Sequence, residues 1–111
     1  MTVQNRQQEI DIKLPDTPYI DTNIGLKYCN NKKSLYFKVL NNFVKRYQHI
    51  DLNEVKDRKR TIHSLKGITA TLGMTTLSEE LAELEVSFNS ILANKFQQDL
   101  LKVIKEIVKI K

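Results

Sequence analysis

Within Thr61-Ile62-His63-Ser64-Leu65-Lys66-Gly67, three residues have the types and the spacing for chemistry. On a helix His63, Lys66 and Gly67 share one face, because positions i, i+3 and i+4 are neighbours. A glycine inside a helix costs about 1 kcal/mol relative to alanine, so Gly67 asks for a reason. Close approach of something bulky to His63 would be one. Three roles are open to the histidine. It is a surface residue on a basic helix, or a general base, or a phosphoryl acceptor. A base needs an orienting carboxylate, which the adjacent turns do not supply. An acceptor can use a neutral imidazole, which has an ordinary pKa of about 6.5 and is nucleophilic near pH 7. It also needs a cation against the incoming charge, solvent access and room for a donor. Lys66 is the cation, and Gly67 with Ala70 leaves the room.

Other chemistry finds little support. No Gly-x-x-x-x-Gly-Lys loop is present, so a nucleotide site within this chain is not expected. His49 and His63 fall on different segments, and neither belongs to a His-Glu-x-x-His or Cys-x-x-Cys pattern. No metal site and no bound cofactor are therefore expected. The lone Cys29 excludes an internal disulfide, fits a reducing cytoplasm, and reads as a small apolar filler. No apolar run approaches the roughly 18 residues of a membrane span, and the N-terminal residues lack the apolar core of a signal peptide. A cytoplasmic location is expected. Eighteen basic and 13 acidic residues leave a net charge of +5, which favours an acidic partner but also serves solubility.

The elements that must hold the histidine read as helices. With three glycines and two prolines in 111 residues, the chain suits a single all-α domain. Residues 1–13 are a polar lead-in or the end of a linker. Ile10, Ile12 and Leu14 alternate, as an extended segment. Asp21 caps a short helix from Thr22 to about Tyr28, with Ile24 and Leu26 inward, broken by Cys29-Asn30-Asn31. Ser34 caps a second helix, about 35–49, with Leu35, Val39, Phe43 and Tyr47 recurring and Tyr36, Leu40 and Val44 widening the stripe. Asp51 and Glu54 resemble a capping box for a third helix, about 52–72, with Val55, Ile62, Leu65, Thr69 and Leu72 inward. Lys56, Lys59 and Arg60 continue the His63 side upstream, and Gly73 ends the helix in the left-handed conformation. Thr76 and Glu79 open a fourth helix to about Ala93, carrying Leu77, Leu81, Leu84, Phe88 and Ile91. A fifth, about 95–109, turns Leu100, Val103, Ile104, Ile107 and Val108 inward and Lys102, Lys105 and Lys109 outward. Short connections between long amphipathic helices predict an antiparallel up-and-down four-helix bundle with a short extra N-terminal helix.

His63-Ser64-Leu65-Lys66-Gly67, followed by Gly73, Leu77 and the pair Leu84-Glu85, resembles the histidine-containing phosphotransfer (HPt) domain of bacterial phosphorelays. Upstream, Leu14-Pro15, Ile20-Asp21, Gly25-Leu26 and Leu35-Tyr36 through Phe43 are similar to the HPt module at the C-terminus of hybrid sensor kinases. The likeness covers residues 14–111. It implies that His63 accepts a phosphoryl group from a receiver-domain aspartate and passes it to another receiver. Lys66 would stabilise the phosphorylated ring, and Gly67 would let the receiver close over it. Such a chain is a relay intermediate rather than an enzyme with its own ATP site, and the Mg²⁺ belongs to the receiver. The implied partners are response-regulator receiver domains, with no nucleic acid, no membrane contact by this domain and a monomeric state. The location is cytoplasmic, as a free protein or as the end of an inner-membrane sensor kinase. The polar, proline-punctuated start favours the second.

Docking is expected around Lys56, Lys59, Arg60 and Ala70, with Ile68 and Leu14 as apolar contacts. Receiver sites are acidic, although a solvated helix face accounts for the cations equally well. Two departures stand out from the family pattern. The stretch from Phe43 to His63 is shorter by roughly two helical turns, and Ile62 replaces a small residue, either narrowing access or thickening the core contact. The competing reading is a basic helical adaptor that binds nucleic acid or a helical partner without chemistry. Its basic residues are spread over three helices and no recognition-helix motif stands out.

Overall fold

Apolar residues at helical spacing, separated by short polar breaks, place five helices among the described residues. The computed structural model describes residues 17–109. These helices are α1 (Thr22–Tyr28), α2 (Lys33–Tyr47), α3 (Arg58–Thr71), α4 (Thr75–Val86) and α5 (Ser90–Val108). Among the described residues there is no strand, only a single bridge between Thr17 and Ile20. The lead-in over residues 1–13, with its alternating isoleucines, and the docking candidate Leu14 lie outside the described residues. No helix among them is long and apolar enough to cross a membrane.

The core is one cluster fed by α2 to α5, with Leu26 of α1 packed against it. Tyr36 and Leu40 from α2, Leu65 from α3, Leu77 and Leu81 from α4, and Phe96, Leu100 and Ile107 from α5 are almost wholly buried. The closest pair is α3 and α4, joined by a tight turn, and α5 packs against both α4 and α2. The short α1 contacts α2 and α3 together, which shapes the surface beside His63.

Local signals set the ends of several helices. Asp21 caps α1 by accepting from the Asn23 N–H at 3.1 Å. Asn30 and Asn31 both take positive φ, as asparagine does more readily than most residues, and stop the helix there. At the end of α3 the Gly73 N–H donates to the Ala70 carbonyl and the Met74 N–H to that of Thr69, a Schellman pair with Gly73 at φ +83°.

Elsewhere the boundaries shift from those expected. The second helix begins at Lys33 and ends at Tyr47, so Ser34 lies in its first turn rather than at the cap. Its buried stripe is Tyr36, Leu40, Phe43, Val44 and Tyr47, and Leu35 is turned to solvent. Ile24 is also more exposed than expected, whereas Leu26 packs on the core. Asp51 does not open a helix: it accepts from the Asn53 N–H in a local turn, and α3 starts only at Arg58. Arg58 reaches back to the Leu52 and Asn53 carbonyls at 2.8 and 3.0 Å, holding residues 52–53 in that turn. Thr76 sits inside the first turn of α4, which carries no side-chain cap. The fourth helix ends at Val86 instead of continuing to Ala93. Asn89 then caps α5 by accepting from the Leu92 N–H at 2.8 Å, leaving Ile91 exposed. Val108, expected inward, is half exposed at the end of α5.

Candidate functional site

Helix α3 presents one apolar side to the core through Ile62, Leu65 and Thr69. Helical geometry then obliges His63, Gly67 and Ala70 to face outward, and all three are exposed. Ile62 is 2% exposed, so the bulky residue beside the histidine thickens the core and leaves the access to His63 unobstructed.

The imidazole meets a carboxylate from the neighbouring helix. His63 Nδ1 lies 2.7 Å from Oε2 of Glu85, on the last turn of α4. The other oxygen of Glu85 accepts from Lys66 Nζ. Glu85 thus bridges the histidine and the lysine, and its carboxyl is held below the usual range, first by the Lys66 hydrogen bond and then by that of His63. An ionised Glu85 can only accept, so the proton between it and the ring resides on Nδ1. That tautomer leaves the lone pair on Nε2, which has no hydrogen-bond partner among the described residues. The His63 side chain is 73% exposed, so Nε2 is open to an incoming group.

Glu85 supplies the carboxylate that the turns adjacent to His63 lack. Its position directly after the buried Leu84 was the available signal, since it places Glu85 at the edge of the α3–α4 seam. Its distance of 22 residues in sequence hid the contact.

On the opposite side of His63 an open groove of about 590 Å³ runs along α3. Tyr28 at the end of α1 and Val39 of α2 form one wall, and Ser64, Gly67, Ile68 and Thr71 the other. A Cβ on Gly67 would meet nothing within 4 Å. No contact among the described residues therefore requires a glycine there. Ile68, expected as an apolar docking contact, does line the groove. Tyr28 and Val39 were not expected to.

Lys59 and Arg60 lie one turn before His63 on its face, and Lys56 precedes the helix; all three are exposed. Arg60 is offset by Asp57 at 3.5 Å across solvent. Arg58, Lys59 and Arg60 put three cations in the first turn of α3 and no acid, against the helix dipole. Arg58 is accounted for by its carbonyl contacts and by the Phe88 ring, whose centroid lies 3.9 Å away. Lys59 makes no such internal contact among the described residues.

No group of three or more His, Cys, Asp or Glu side chains among the described residues is arranged to hold a metal ion. In comparisons with known proteins, no family model, curated protein or solved structure matches the chain.

Proposed function

We propose that the chain is a phosphorelay intermediate, in which His63 takes a phosphoryl group from a receiver-domain aspartate and hands it to a second receiver. The observation that carries this reading is the oriented, solvent-exposed imidazole: Nδ1 is bound to Glu85, Nε2 is free, and Gly67 is open beside it. The resemblance to HPt domains points the same way. On this reading α2 to α5 form the antiparallel up-and-down bundle and α1 is the short extra helix.

The step balances on the groups present. The Nε2 lone pair attacks phosphorus, a P–N bond forms, and the P–O bond to the receiver aspartate breaks, returning that carboxylate. The ring becomes a phosphorylated imidazolium that keeps its Nδ1 proton, and Glu85 offsets the positive ring. Lys66, one helical turn away, can move from Glu85 toward the phosphoryl oxygens, which carry the new negative charge. The reverse attack by a second aspartate empties the site. Most of the catalysis in such a transfer is positioning and charge, with the metal supplied by the receiver.

The partner's acidic active site would meet Lys56, Lys59 and Arg60, and its apolar surface the groove between Tyr28, Val39 and Ile68. Ala70 lies further along the same exposed face. The test is to incubate the chain with a phosphorylated receiver and assay for acid-labile, base-stable phosphate. The wild type should be labelled and His63→Gln should not. Label on His63→Gln would overturn the assignment, and Lys66→Ala should transfer more slowly without unfolding. Salt-dependent nucleic-acid binding without phosphate uptake would instead favour the basic adaptor.

A further inference from the structure

A second charged cluster lies between α4 and α5, away from the histidine. Glu80 and Asp99 are buried, 7% and 5% exposed, and both converge on Lys95. Lys95 Nζ donates to Glu80 Oε2 at 2.8 Å and to Asp99 Oδ2 at 2.9 Å. Lys102 reaches Asp99 Oδ1 only at 3.8 Å. The remaining oxygen of Glu80, Oε1, is sealed from solvent and has no hydrogen-bond partner.

Glu80 and Asp99 share the Lys95 ammonium and repel each other, while Lys102, at 3.8 Å, offsets only Asp99. A buried acceptor that has lost water without gaining a donor is costly as well. One proton on Glu80 relieves both, since it removes the repulsion from Asp99 and turns Glu80 into a donor toward Asp99. A bulkier donor has no access to Oε1. We propose that Glu80 binds a proton in the folded chain, shared with Asp99, and that this proton sets how tightly α4 packs on α5.

The electrostatics agree. Burial, reinforced by the neighbouring Asp99 carboxyl and opposed by Lys95, pushes the Glu80 carboxyl up to about 7. Burial raises Asp99 too, but the neighbouring Glu80 and the Lys95 ammonium outweigh this and hold it below its ordinary value. Glu79 and Glu83, with Thr76, line the open side of the cluster. Helix α3, packed on the other side of α4, directs His63 and Lys66 to Glu85 rather than to Glu80.

An unfolded glutamate titrates near about 4.3. Between there and about 7 the folded chain keeps a proton that the unfolded chain has lost. The stabilisation from Glu80 is therefore complete below the unfolded value and is lost as pH rises through the folded one. Glu85 lies five residues further along α4, so loosening this helix would also loosen its hold on His63. That consequence rests on the phosphorelay reading, whereas the proton site does not.

The decisive measurement is a carbon-detected NMR titration of the Glu80 carboxyl in the full chain. A midpoint near neutrality is expected, and an ordinary glutamate midpoint would overturn the proposal. Chemical denaturation between pH 5 and 7 gives a second readout. Wild type should lose up to roughly tenfold in its folded-to-unfolded ratio per pH unit relative to Glu80→Gln. Parallel pH profiles for the two proteins would also overturn it. Should the variant fail to fold, the wild-type titration still decides. Neither measurement uses phosphate, so a failed relay assay and a failed proton site are separable.

Discussion

Gly67 and Gly73 stand six residues apart along α3 and its end, and the molecule treats them in opposite ways. Gly73 is locked. Its φ of +83° suits a residue without a side chain, and an added Cβ would collide with the backbone carbonyl of Asp21. Its own carbonyl accepts from the Asp21 N–H at 2.6 Å, and next to it the Leu72 carbonyl accepts from the Tyr36 hydroxyl at 2.8 Å. Burial raises the pKa of that hydroxyl and keeps it a donor. Gly67 has ordinary helical backbone and empty space where its side chain would be. The fold itself requires the first glycine. Nothing among the described residues requires the second, which on the phosphorelay reading serves as clearance for a partner.

Substitutions at the two ends can break this contrast. The largest effect is expected for Gly73→Ala, which combines left-handed strain with the Asp21 clash and should cost about 2 to 4 kcal/mol in urea denaturation. Next is Tyr36→Phe, which strands the buried Leu72 carbonyl and should cost about 1 to 2 kcal/mol by the same measurement. The smallest shift has the opposite sign. Gly67→Ala should stabilise the chain by up to about 1 kcal/mol, because helix propensity rises and no neighbour is displaced. In a receiver assay the same variant should transfer phosphate more slowly. Unimpaired transfer would mean that Gly67 does not serve as clearance.

The parts of the molecule that the sequence made legible were those governed by neighbours in sequence. The Asp21 cap, the Asn30-Asn31 stop and the Gly73 terminus each depend on contacts within a few residues. So does the outward placement of His63, Gly67 and Ala70, which follows from the apolar stripe of α3. Misreadings arose where a local signal had a stronger competitor. The Asp51 and Glu54 pattern was overridden by Arg58 binding the carbonyls of Leu52 and Asn53. The apolar run through Phe88 and Ile91 suggested a continuous helix, but Asn89 capped a new one and Phe88 turned to the Arg58 guanidinium. Glu85 and the buried Glu80–Lys95–Asp99 cluster depend on which helices become neighbours, and periodicity within one helix carries no such information.

The cationic start of α3 has a consequence for ionic strength. Arg58, Lys59 and Arg60 sit where the helix dipole is already positive, so dissolved anions gathering there should relieve the repulsion and firm up the first turn. On the phosphorelay reading, the same screening weakens long-range attraction to an acidic receiver site, over a Debye length of about 8 Å at physiological salt. Added salt would thus steady this end of the molecule while slowing the encounters it favours.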